Sequence, residues 1–279
     1  MAQEEIIDND PARHPGESAP TPERVDPLAS TANSLLTEDL ALALLKRGDL
    51  SAEDLEQLAK NVVLLKSRKV KLAIASHPHT PRHVSVPLAR QFYIFDLMKV
   101  ALAPAVSADI KVAVDDILIS RLKTVTPGER LTLARRASGR VAAALLLDLE
   151  AGEGKTTPGH RDRELVARTV NTSAIALAAR VLHTALENPR LTEALVISSV
   201  LSSKARAALV DAVANHQMWS KRREVRAALL RTEHLSLACA LDISREISSP
   251  LLRELLASSR LPARIKDQLL RESDRENPE

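Results

Sequence analysis

Two stretches of the chain, about 155 residues apart, follow one pattern, and that recurrence limits the fold more than any single motif does. Leu36-Thr37-Glu38 opens a run that passes Leu40, Leu55 and Asn61 and reaches Val70-Lys71-Leu72-Ala73-Ile74. Leu191-Thr192-Glu193 opens another that passes Leu195, Leu209 and Asn215 and reaches Val225-Arg226-Ala227-Ala228-Leu229, with a one-residue slip in and out of register. A chain that repeats itself stacks its units, because none can bury its apolar face alone. Residues 36–88 and 191–241 are therefore expected to adopt the same helical arrangement, with Leu55, Leu209, Val70 and Val225 all buried.

The unit is helical. The 279 residues hold 7 Gly and few aromatics (Phe92, Tyr93, Phe95 and Trp219), while Leu, Ala, Arg and Glu fill long periodic stretches that favour helix. Start signals precede apolar residues at helical spacing: Thr37 before Leu40 and Leu44, Ser51 before Leu55 and Leu58, Ser67 before Val70 and Ile74. Thr126-Pro127-Gly128 punctuates the middle in the same way. The expected fold is all-α, an α-solenoid of roughly seven or eight antiparallel helix pairs. The aromatics of the 92–95 cluster, Phe92, Tyr93 and Phe95, are expected in the core with Trp219, Phe92 and Phe95 being read as one helical face.

Charge is unevenly spread. The chain carries +3 in total, with −5 in residues 1–33 and −2 in residues 271–279, which leaves +10 on residues 34–270. Residues 1–33 contain Pro11, Pro15, Pro20, Pro22 and Pro27 and no apolar periodicity, so they read as a disordered acidic tail; residues 271–279 read as a second tail. Residues 34–270 form the helical repeat domain, interrupted by a glycine-rich loop at 149–162, and residues 90–122 match no unit well. The only cysteine is Cys239, so no internal disulfide can form. The acidic N-terminus lacks the pattern of a secretory signal, and no window approaches the ~18 apolar residues of a membrane span, so a cytoplasmic protein with no membrane partner is expected.

A short turn motif recurs once more. Ala75-Ser76-His77-Pro78-His79-Thr80-Pro81-Arg82-His83-Val84 and Glu187-Asn188-Pro189 resemble the Asn-Pro-x-Thr-Pro-x-x-Val/Leu turn of bacterial leucine-rich repeat variant proteins. Glu224-Val225-Arg226-Ala227-Ala228-Leu229 resembles the second helix of HEAT repeats, the wider α-solenoid group. The resemblance implies a scaffold that binds other macromolecules and shares no catalytic residues with its relatives.

Three chemical readings were open on the residues alone. Gly152-Glu153-Gly154-Lys155-Thr156 ends like a phosphate-binding loop, but Leu149 stands where the first glycine belongs and no strand precedes it, so a plain loop is expected. His77, His79 and His83 fall within seven residues, yet His77 takes the slot of Asn188, which points to turn-making rather than a metal. Asp115-Asp116 and the scattered glutamates show no nucleophile or base at helical spacing. No cofactor and no catalysis are expected.

A fourth reading concerns cations. Lys66, Arg68 and Lys71 correspond in register to Lys221, Arg223 and Arg226, each set at the start of a helix, where the macrodipole disfavours positive charge by ~0.3–1 kcal/mol. They form a candidate anion-binding strip, with Arg135, Arg136 and Arg140 between them; pairing with carboxylates of neighbouring helices is the competing account. The expected function is a non-catalytic scaffold that binds a protein partner with an acidic surface through a basic edge or groove. Nucleic-acid binding is the alternative, and an enzyme on a HEAT-like scaffold the third reading.

Overall fold

The computed structural model describes residues 36–148 and 175–276, and all regular structure among them is helical. The readings of residues 1–33, of the 149–162 loop and of residues 277–279 lie outside the described residues. In chain order the helices are α1 (Glu38–Leu45), α2 (Ala52–Lys60), α3 (Arg68–Ala75), α4 (Arg82–Ala89), α5 (Ile94–Leu102), α6 (Ala108–Arg121), α7 (Pro127–Arg136) and α8 (Gly139–Leu147). After α9, described over 175–186, come α10 (Glu193–Val200), α11 (Ala207–Ala214), α12 (Arg223–Leu230), α13 (Leu237–Ser244), α14 (Ser249–Ala257) and α15 (Ala263–Glu276). Residues 271–276, expected in a tail, are thus the last turns of α15.

The caps read from the sequence are present. The Thr37 and Ser67 hydroxyls accept from Leu40 N–H and Val70 N–H. Ser51 with Asp54, and Thr126 with Glu129, form reciprocal capping boxes that occupy otherwise unpaired N–H groups. Thr80 behaves differently: its hydroxyl donates to the carbonyl of Ile74 at 2.6 Å, tying the turn back to α3, and α4 starts behind Pro81 without a side-chain cap.

The recurrence extends well past residue 88. α1 starts at Glu38 and α10 at Glu193, 155 positions on; α2 and α11, α3 and α12, α4 and α13, α5 and α14, and α6 and α15 start the same distance apart. A 3₁₀ turn, Leu64–Lys66, has its counterpart at Trp219–Lys221. Buried positions follow the helices: Ala41 and Val196, Val70 and Val225, Ile74 and Leu229, Leu97 and Leu252, and Val114 and Leu269 are each fully inaccessible. The one-residue slip at Leu55 and Leu209 is absorbed within the element, since Leu55, Leu209 and Val210 are all buried. Residues 90–122, which match no unit by sequence, have a structural counterpart in α14 and α15.

Packing is local. Among the described residues, the extensive helix–helix contacts join helices no more than two apart in chain order: α1 with α3, α4 with α6, α5 with α6, α6 with α8, α8 with α10, α10 with α12, and α13 with α15. Successive turns are stitched by polar side chains. The His77 and His79 rings bond the carbonyls of Arg47 and Leu50 at 3.0 and 2.9 Å. Asn188 donates to the carbonyls of Ala134 and Ala137, and Ser259 to that of Leu230. His77 and Asn188 therefore do the same work, satisfying carbonyls left open at a helix end.

Phe92 and Trp219 are buried, the latter donating its indole N–H to the carbonyl of Leu186 at 2.9 Å. Phe95 is 37% and Tyr93 75% exposed, contrary to expectation. The reason is that Tyr93 is extended and α5 begins only at Ile94, so Phe92 and Phe95 do not share a helical face.

Gly139 opens α8 beneath the turn that carries Asn188. A Cβ there would lie 2.2 Å from the carbonyl oxygen of Arg190. Gly139→Ala should therefore lower stability by ~1–3 kcal/mol despite alanine's better helix propensity, measured as the denaturant midpoint of unfolding.

Candidate functional site

The cations singled out in the sequence are distributed over four places. Arg140 is tied down, donating to Asp116 at 2.9 Å and to the carbonyl of Val112. Arg135 and Arg136 end α7 and line an open groove of about 820 Å³ with Arg180, His183 and Arg190. Lys66, Arg68 and Lys71 surround the start of α3, and Lys221, Arg223 and Arg226 the start of α12. No described groove contains both of these last two sets.

At α3 the neighbouring helix meets the charge. Asp96 on α5, 1% exposed, accepts two hydrogen bonds from the Arg68 guanidinium, at 2.5 and 2.8 Å, with Lys99 3.7 Å away. The guanidinium also lies 5.8 Å from the centre of the exposed Tyr93 ring. The hydrogen bonds from Arg68 outweigh burial and hold the Asp96 carboxyl below its ordinary range. Lys71 donates to Gln91 at 3.4 Å, and Lys66 is exposed.

At α12 the same positions are surrounded differently. Arg226 pairs with Glu246, the counterparts of Lys71 and Gln91, and this hydrogen bond lowers the Glu246 pKa. The counterpart of Asp96 is Leu251, and that of Tyr93 is Ser248. Arg223 consequently has no carboxylate, hydrogen-bond or ring partner among the described residues, and neither does the Lys221 side chain. Where Ser67 caps α3, Arg222 stands before α12 without a side-chain cap and pairs instead with Glu193 at 2.9 Å, its guanidinium over the Trp219 ring. The positive end of this helix thus carries added positive charge.

These residues edge a groove of about 590 Å³ between α10, α12 and α14. Ile197, Leu201, Leu251 and Leu255 supply its apolar lining, and Lys221, Arg223, Arg226 and Arg231 its cations, against Glu224 and the already paired Glu246. The Nε of Arg226 is buried there without a hydrogen-bond partner. The α7–α9 groove is richer in arginine, but Arg135 and Arg136 occupy the last turn of α7, where the macrodipole favours cations. Their position has a local explanation that Arg223, at a helix start, lacks.

Among the described residues no group of three or more histidine, cysteine or carboxylate side chains converges on a point. His83 pairs with Glu56 at 3.0 Å, apart from the carbonyls that His77 and His79 bond. No described helix is long and apolar enough to cross a membrane. Compared with known proteins, the chain matches no family model, no curated protein and no solved structure.

The two arginines can be compared directly. Arg68→Ala strips a buried carboxylate of its main partner and should lower the unfolding temperature by several degrees, whereas Arg223→Ala should leave it unchanged. The sign with pH follows from the lowered Asp96 pKa. The pair's contribution is complete above the ordinary aspartate value of about 3.9 and is lost as pH falls through the folded-state value, so the Arg68→Ala deficit should close on acidification. Thermal melts of both variants from pH 7 to pH 2 check this.

Proposed function

We propose that the chain is a non-catalytic α-solenoid of antiparallel helix pairs, of the HEAT and leucine-rich repeat variant type, that holds an acidic segment of a partner protein in the α10–α12–α14 groove. Local packing and the 155-residue recurrence of six helices support the solenoid, since stacked units contact mainly their neighbours. The observation that carries the binding role is the difference between two equivalent sites. One arginine is neutralised by Asp96, and the other faces Leu251 across an open groove. A cation at a helix start, with a carboxylate supplied in one copy and withheld in the other, suits an anion that arrives from outside.

The groove's chemistry favours protein over nucleic acid. Ile197, Leu201, Leu251 and Leu255 place apolar surface beside its cations, its described lining contains no aromatic side chain, and Trp219, which could have stacked on a base, is buried in the core. Binding of fluorescent poly-glutamate to the full chain tests the reading. Affinity should fall as salt rises, and Lys221→Glu with Arg223→Glu should weaken it by at least ~10-fold, while Arg135→Glu with Arg136→Glu should have a smaller effect. Tighter binding of a DNA or RNA duplex of equal charge, most sensitive to Arg135 and Arg136, would transfer the function to nucleic acid and to the other groove. An unchanged affinity in the α12 variant would remove the groove from the mechanism.

A further inference from the structure

The first copy of the repeated architecture displays, within the chain, the groups that its second copy lacks. Around Arg68 they are a carboxylate, Asp96, bonded through two guanidinium nitrogens, and an aromatic ring, Tyr93, beside the same guanidinium. Both come from the start of α5, three positions apart. At the equivalent start of α14 stand Ser248 and Leu251, so Arg223 meets neither group and the α10–α12–α14 groove lies open beside it.

Resting on the scaffold reading above, the geometry points to a partner segment of defined chemistry: an acidic peptide in which an aromatic residue stands close to an aspartate or glutamate. The place that Asp96 holds in the first copy is filled by Leu251 in the second, so the carboxylate comes from the groove side and pairs there with the exposed Arg223, which offers a planar fork matched to two carboxylate oxygens. The aromatic ring lies beside the guanidinium as Tyr93 does at Arg68, and its other side rests on the leucines and isoleucines of the groove. Lys221 and Arg231, at the groove's edge, attract flanking acids, while Glu224 repels them and favours a segment whose carboxylates are spaced rather than continuous. Poly-glutamate meets only the charge requirement. A segment with the aromatic residue meets both.

Synthetic peptides on the full chain decide it. The probe is a fluorescent nonapeptide, Glu-Gly-Ser-Tyr-Ile-Ser-Asp-Gly-Glu, with variants in which its tyrosine is alanine or its aspartate is asparagine, measured beside poly-glutamate of equal length. The parent peptide should bind at least ~10-fold more tightly than either variant or poly-glutamate, and Arg223→Ala should erase that advantage. Ser248→Tyr with Leu251→Asp rebuilds the first copy's arrangement in the second and should abolish peptide binding while the chain keeps its helical circular dichroism. If that double variant loses its fold, Arg223→Ala, which removes an exposed side chain, gives the answer alone. Parent peptide no better than poly-glutamate overturns the inference and leaves acidic binding in place. Binding of neither overturns both.

Discussion

An isolated helix of eight or nine residues does not persist in water, because the cost of nucleation is recovered only over a longer run of hydrogen bonds. Most helices here are of that length, so each depends on burying its aliphatic face against a neighbour. That dependence organises the rest of the molecule. Val70, Ile74, Leu97 and Val114, with their counterparts Val225, Leu229, Leu252 and Leu269, are sealed by helices that are themselves too short to stand alone. Burying a valine or leucine contributes about 1.5–3 kcal/mol, and with so few aromatics the stabilisation is divided among many small contacts rather than concentrated in a few large ones. Polar turn residues then set the spacing. His77, Asn188 and Ser259 reach back to carbonyls of the preceding turn, so each turn is fixed by the one before it.

The same logic explains what could be read in advance. Caps and apolar spacing are local properties, and Thr37, Ser51, Ser67 and Thr126 do at their helix starts what their sequence positions imply. Leu55, Leu209, Val70 and Val225 are buried because equivalent helices impose equivalent packing. The recurrence beyond residue 88 was harder to see, since α5 and α14 share only the buried Leu97 and Leu252 as identical residues. A core of aliphatic residues tolerates extensive exchange while the apolar pattern is kept, so Leu255 stands where the first copy has Val100, and Leu256 where it has Ala101, with all four buried and the helix in its place. Phe95 went astray for a different reason. A helical wheel assumes a helix, and the extended Tyr93 interrupts it.

The candidate site was half legible. Matching Lys66, Arg68 and Lys71 to Lys221, Arg223 and Arg226 needed only the register, but whether each cation has a partner depends on a turn or helix about twenty to thirty residues further along the chain, brought close by the roughly 10 Å spacing of packed helices. Asp96 gives no sign of its role from its own neighbourhood: it sits between Phe95 and Leu97 in an apolar run. Its signal was positional. Carrying the register from Arg68 to Asp96 and from Arg223 to Leu251 would have separated the paired arginine from the unpaired one, and the same step exposes the exchange of Tyr93 for Ser248.

A duplicated architecture can use this freedom without losing its fold. Arg68 and Asp96 sit at the rim of the core, where a buried carboxylate is tolerated only while its cation stays in place. Replacing the carboxylate by Leu251 removes that liability: Leu251 packs against the apolar core, and Arg223, exposed, is satisfied by water. The two arrangements are thus both compatible with stability, but they are not equivalent toward a ligand. The first closes its own electrostatic circuit. The second leaves a positive helix end, a guanidinium and a groove of mixed cationic and apolar lining facing outward together, with Arg226 and Glu246 keeping the adjoining segments linked as Lys71 and Gln91 link theirs. In the proposed reading, recognition falls to the copy whose internal partner has been withdrawn, while the other copy retains the complete pair and with it the burial of Asp96.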